Sequence, residues 1–121
     1  MNETKLQNAI ASYLKLQYPE VVFTSESSGV RTSYGMAKRL KAQRSVHKLP
    51  DLIILECRGG FAGLLIELKV SSPYKKDGTL KAGRAYEQNK TLELLRKKGY
   101  SAHFGVGFEH TKKIIDDYLQ T

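Results

Sequence analysis

The feature that most restricts how this chain can fold is a pair of apolar runs, Asp51-Leu-Ile-Ile-Leu-Glu-Cys57 and Gly63-Leu-Leu-Ile-Glu-Leu-Lys-Val70, separated by Arg58-Gly59-Gly60. Short runs rich in Leu and Ile, bounded by a glycine pair, are strands joined in a hairpin. Side chains alternate along a strand, so Leu64, Ile66, Leu68 and Val70 take one face while Leu65, Glu67 and Lys69 take the other. Glu67 and Lys69 therefore share a face, about 7 Å apart along the strand. A turn centred on Gly59 sets Asp51 opposite Glu67, with Cβ atoms about 4.5–5.5 Å apart. A slip of one residue turns Asp51 to the other face. Two carboxylates so placed repel unless a cation lies between them, and oxygen ligands suit a hard divalent ion. The plainer alternative is a solvated strand face with a cross-strand ion pair between Lys69 and Asp51. An otherwise apolar strand seldom gives such positions to charged groups unless they are paired or hold a metal.

The remaining pattern supplies partners for this hairpin. Leu6, Ala9, Ile10, Tyr13 and Leu14 recur at helical spacing over residues 3–17, and Pro19 stops that helix. Val21 to Phe23 predict a short strand leading into a polar turn at Ser25 to Gly29. Residues 30–49 hold no acid, and their core, Met36 to Gln43, is partly helical. Residues 71–83, rich in Ser, Pro, Gly and Lys, read as a loop. Arg84 to Lys98 predicts a helix with Ala85, Gln88, Leu92 and Leu95 on one stripe and Gly99 as terminator. Alternation from Ser101 to Phe108 predicts a strand, and Thr111 caps a last helix carrying Ile114, Ile115, Tyr118 and Leu119. The expected class is α/β, one domain over 1–121 with a central mixed β-sheet flanked by α-helices.

Composition narrows the function classes. Twenty Lys and Arg against twelve Asp and Glu give a net charge of +8, which favours a polyanionic partner. No apolar stretch approaches the roughly 20 residues of a membrane span. The first residues carry an acid and enter an amphipathic pattern, so no secretory signal is read, and the lone Cys57 excludes an internal disulfide. An intracellular protein is expected, with DNA rather than a membrane as partner. Arg31, Lys38, Arg39, Lys41, Arg44 and Lys48 are candidate phosphate contacts, with Lys75, Lys76, Lys81 and Arg84 as a second group. His47, His103 and His110 share no metal-ligand spacing.

Pro50-Asp51, then Glu67-Leu68-Lys69 sixteen positions on, then Gln88 in the following helix, resembles the PD-(D/E)XK nuclease superfamily. The wider order is most similar to its VRR-NUC branch of virus-type replication-repair nucleases. That order comprises an opening helix with an early Glu, Ser28-Gly29, a basic segment, Leu49-Pro50-Asp51-Leu52, Ile66-Glu67-Leu68-Lys69, and Gln88 before Leu92 and Gly99. The resemblance implies a restriction-endonuclease-like core in which Asp51 and Glu67 bind Mg²⁺ or Mn²⁺, with the Leu68 carbonyl as a further ligand. Lys69 would position or deprotonate the attacking water, and Gln88 would lie near the site. Glu3, on the stripe of Gln7, Ile10 and Leu14, is expected to face inward as a fourth catalytic and metal-binding member, with Gln7 and Glu26 as rivals. A helix-start glutamate serving the dipole is the alternative for Glu3.

The activity implied is a deoxyribonuclease making endonucleolytic cuts in branched DNA such as four-way (Holliday) junctions, with no nucleotide cofactor, in the cytoplasm of a bacterial or phage-infected cell. Stand-alone members of the branch resemble homodimers, because a two-fold axis suits two symmetric nicks. The basic segment, or the last helix with Tyr118 and Leu119, would offer the interface. A non-catalytic basic module binding DNA or RNA accounts for the charge equally well but gives no reason for the acid pair. A structural protein of a phage or ribosomal assembly ranks last.

Overall fold

A computed structural model of the chain describes residues 1–25 and 33–121, so Glu26, Ser28, Gly29 and Arg31 lie outside the described residues. Asn2 accepts the Lys5 amide at 2.8 Å and starts helix α1 (Glu3–Gln17), whose Leu6, Ile10 and Leu14 are buried. The Val21 amide still turns back to the Tyr18 carbonyl, so strand β1 (Phe23–Ser25) begins two residues later than the sequence suggests. Ser33 caps α2 (Tyr34–Ala42), a helix with no buried residue. There follow β2 (Leu52–Ile54), β3 (Leu64–Lys69), α3 (Arg84–Lys97), β4 (Ser101–Val106) and α4 (Gly107–Leu119). The strands form one mixed sheet in the order β1-β2-β3-β4, antiparallel except for β3 and β4, which run parallel across the α3 crossover.

Strand alternation sorts the core onto two faces. Leu52, Ile54, Leu64, Ile66 and Leu68 meet Leu6, Ile10 and Leu14 of α1 and Ile115, Tyr118 and Leu119 of α4. On the other face Leu65, Ala102 and Phe104 meet Leu92 of α3. Each large side chain so buried contributes roughly 1.5–3 kcal/mol. The helices on the first face are also pinned together, since Asp116 of α4 accepts hydrogen bonds from the hydroxyls of Tyr13 (2.6 Å) and Tyr18 (2.7 Å). Among the described residues no helix is long and apolar enough to cross a membrane.

Two expectations are corrected here. Helix α4 starts at Gly107, whose φ of 75° ends the strand before Phe108; Thr111 is not its cap but a buried residue donating to the Gly107 carbonyl at 2.7 Å. Tyr118 and Leu119 are not available to a second chain. Both are in the core, and the Tyr118 hydroxyl donates to the Glu56 carbonyl at 2.6 Å. Residues 71–83 form the loop expected, with no helix or strand, and it is an ordered one. Tyr74 bridges Leu80 around a turn in which Gly78 has φ 86° and the Asp77 carboxylate accepts from the Thr79 amide and hydroxyl.

The hairpin between β2 and β3 holds the detail that positions the rest. Its turn is closed by Arg58 and Phe61, with Gly59 and Gly60 both at positive φ (56° and 86°), as a tight two-residue turn of this hand requires. The next paired residues are Ile54 and Leu64, so three residues (55–57) stand against two (62 and 63). The extra residue forms a bulge. Without it, a regular ladder from Arg58–Phe61 would set Asp51 opposite Leu68 and Leu52 opposite Glu67. The bulged backbone finds other partners, since the Leu55 amide bonds to Val22 and the Glu56 carbonyl to Tyr118. Gly63 permits the close approach, as a Cβ there would lie 2.9 Å from the Ile54 carbonyl oxygen.

Candidate active site

The register Leu52↔Ile66, continued by one residue, brings Asp51 opposite Glu67 on the α3 side of the sheet. Pro50 is fully buried and has no amide to offer the ladder, so pairing of β2 ends beyond Leu52. There the Asp51 side chain takes over, its Oδ2 accepting the Leu68 amide at 2.9 Å. Gln88 projects from the second turn of α3 and donates from Nε2 to Glu67 Oε1 at 2.8 Å. Lys69, two residues along β3, lies on the same face with its Nζ 6.0 Å from the centre of the Phe104 ring. Tyr74 packs edge-on against the same ring at 6.3 Å, so the turn after β3 reaches back over this end of the sheet.

Asp51 and Glu67 are each only 5% exposed. Burial first, then the charge of Asp51 and a hydrogen bond to it, push the Glu67 carboxyl up from 4.5 to about 8, against the pull of Lys69 and Arg84. The pair thus holds a proton between its two carboxyl groups near neutrality. Two carboxyl groups close enough to share a proton also offer oxygen ligands that a divalent cation could take in the proton's place.

This has a measurable consequence for stability in chelator. In the unfolded chain Glu67 releases its proton near 4.5, whereas the native protein keeps it to about 8. Between these values the native state binds more protons, so stability falls as pH rises and levels off above 8. His103, held below its usual range by burial and by Arg96 and His110, acts in the opposite sense at lower pH. The comparison is therefore thermal melting of the unmodified protein against Glu67→Gln at pH 5, 6.5 and 8 in EDTA. The gap between the two curves should swing in favour of the variant with rising pH; a constant gap would mean that the acids are not held together.

The structure brings Asp51, Glu67, Lys69 and Gln88 together and leaves other candidates apart. Glu3 does not face inward: Asn2, Glu3, Thr4 and Lys5 are all exposed, because the buried stripe of α1 begins only at Leu6. Helix α1 also packs on the opposite face of the sheet from the acid pair, and Gln7 belongs to that helix. Among the described residues no third His, Cys, Asp or Glu joins a metal-holding group. Lys38, Arg39, Lys41, Arg44 and Lys48 are exposed on and after α2, and Lys75 and Lys76 are exposed on the Tyr74–Leu80 turn. His103 faces away from the acids and bonds to the Ser101 hydroxyl at 2.7 Å. Arg84 acts on Glu67 from the first turn of α3, a link that its four-residue spacing from Gln88 carries in the sequence.

No family model matches this chain, and no curated protein does. Among solved structures, one of a protein named "VRR_NUC domain protein" superposes with a TM-score of 0.68 and 24% sequence identity, over 99% of this chain and 89% of that one. The likeness is one of fold. It extends through nearly all of both chains, and the α/β architecture of four helices around a mixed four-stranded sheet is restriction-endonuclease-like.

Proposed function

We propose that this chain is a divalent-metal-dependent nuclease of the VRR-NUC type that cuts phosphodiester bonds in branched DNA, such as four-way junctions, as a homodimer. The observation that carries this reading is the buried Asp51–Glu67 pair with Lys69 on the same face, at the end of a strand that is otherwise apolar. The donors suit a hard cation. They are two carboxylates close enough to share a proton, and beside them the Gln88 Oε1 is buried with no hydrogen-bond partner among the described residues. Asp51 and Glu67 would hold Mg²⁺ or Mn²⁺, with the Leu68 carbonyl as a further ligand. When bound, such an ion polarises a phosphoryl oxygen and makes a nearby water more acidic.

The chain's own residues supply the rest. The Leu68 amide fixes Asp51 to β3, so both acids ride on one strand, and Gln88 fixes the rotamer of Glu67. Lys69 places a positive charge where water must attack and orients that water for proton loss. The lysines and arginines of α2 and the 44–48 segment, with Lys75 and Lys76, lie exposed and would grip backbone phosphates in a salt-dependent way. The fold shared with a VRR_NUC domain protein supports the assignment of substrate class, and a two-fold dimer matches paired nicks in a symmetric junction.

The experiment is a panel of labelled duplex, single strand, flap, four-way junction and RNA, each incubated with Mg²⁺ or Mn²⁺ and with EDTA. Cleavage is expected to favour the junction, to stop in EDTA, and to fall about 10²-fold or more in Lys69→Ala with binding largely retained. Binding that ignores EDTA, with every substrate left intact in both metals, would leave only a basic nucleic-acid binder. Sedimentation of the protein on a junction tests the homodimer, which a single copy per junction would overturn.

A further inference from the structure

We infer that Arg84 is a further catalytic residue, whose guanidinium engages a non-bridging oxygen of the phosphodiester under attack. The inference rests on the nuclease reading of the same site. Arg84 opens α3 and Gln88 follows four residues later, so the two side chains sit on one helix face with Cβ atoms about 5–6 Å apart. Gln88 fixes where that face looks, because its amide reaches Glu67 at 2.8 Å. Arg84 is therefore one helical turn from a residue in direct contact with the acid pair. It is exposed, and among the described residues its side chain makes no hydrogen bond or ion pair. Its charge is felt at Glu67 all the same, alongside that of Lys69. A guanidinium one helical turn from the Gln88–Glu67 contact, with no side-chain partner among the described residues, is available to an anion bound beside the acids.

Charge balance says which anion. Two ionised carboxylates, a divalent cation and Lys69 leave the site with one net positive charge, which a phosphodiester neutralises. During hydrolysis the water oxygen bonds to phosphorus and gives up a proton to solvent. The bond from phosphorus to the leaving sugar oxygen breaks, and that oxygen gains a proton. In between, the phosphoryl group carries a second negative charge that the acid pair, cation and lysine do not offset. Arg84 supplies that charge without itself changing protonation, and its planar fork of N–H donors matches two phosphoryl oxygens. The contact strengthens as charge develops, so it lowers the barrier more than it improves binding.

The test compares wild type, Arg84→Ala, Arg84→Lys and Glu67→Gln in single-turnover cleavage of the best panel substrate in Mg²⁺, with DNA affinity measured in Ca²⁺. Arg84→Ala should lose about 10²–10³-fold in rate. Its affinity should stay within about threefold and its melting temperature should not move, since the residue is exposed. Arg84→Lys should regain about tenfold at most, because it restores charge without the fork, and added guanidinium ions should partly rescue Arg84→Ala. An Arg84→Ala rate within about threefold of wild type, or one that falls only in step with affinity, overturns the inference. If Glu67→Gln is dead at the same time, the nuclease reading survives that result. A wild-type protein that cuts no substrate ends both.

Discussion

Replacing Glu67 with glutamine should abolish cleavage and, in the same protein, raise the melting temperature in chelator at alkaline pH. Glutamine keeps the size of the side chain and can still meet the Gln88 amide, but it removes the charge that a divalent ion needs. Loss of one of two anionic ligands is expected to cost about 10³-fold or more in rate. Stability moves the other way. Burial and the neighbouring Asp51 hold the Glu67 carboxyl at about 8, so above that pH the native state carries two adjacent buried negative charges. Glutamine removes one of them, and the melting temperature at pH 9 in EDTA should rise by about 5 °C or more. Few substitutions move activity and stability so far in opposite directions, and sites that accept stability costs for function do this. Cleavage within about tenfold of wild type would remove Glu67 from the site. A lower melting point would mean that the acid pair is not where the fold is strained.

Gly105→Ala should be the most damaging small substitution for the fold. Gly105 lies in β4 opposite Leu68, where α4 settles onto the sheet. A Cβ at this position would stand 2.5 Å from Thr111 Oγ1 and 2.8 Å from Ile66 Cγ2, both belonging to fully buried residues. Neither neighbour is the free end of a long side chain, so relief requires α4 to lift from β3 and β4. Overpacking of this kind costs about 1–3 kcal/mol or more, against a total stability of about 5–15 kcal/mol. Adding Thr111→Ala to Gly105→Ala removes the closest contact and should recover part of the loss, leaving those with Ile66 Cγ2 and, at 3.2 Å, with the Cβ of residue 111. Urea denaturation of wild type and the two variants measures this. A Gly105→Ala midpoint equal to that of wild type would show that α4 is not seated as described. The acids face the other side of the sheet, so the folded fraction of Gly105→Ala should cut DNA at close to the normal rate.

Much of this arrangement is legible along the chain, because the signals are local. Period-two alternation puts Glu67 and Lys69 on one face of β3, and period-3.6 spacing puts Gln88 on the buried side of α3. The α/β class follows from the same patterns. Glu3 misled because a helical stripe does not reveal where the neighbouring surface ends, and here it ends one turn short, at Leu6. Tyr118 and Leu119 misled in the opposite way, since an apolar helix face can serve a partner or the chain's own core. Thr111 resembled a cap because hydroxyl residues favour that position, yet the positive φ of Gly107 had already started the helix.

What the sequence determined by itself is which side chains share a face, since that depends only on the geometry of a single strand or helix. What only the tertiary structure decided is which faces meet. A turn centred on Gly59 and the actual turn across Gly59 and Gly60 differ by one residue, enough to send Asp51 to the wrong side of the sheet. The bulge at 55–57 restores the difference, and its backbone is held by Val22 and Tyr118, distant in sequence on either side. Period-two order cannot record a one-residue offset set by such remote hydrogen bonds, so the meeting of Asp51 with Glu67 belongs to the folded molecule.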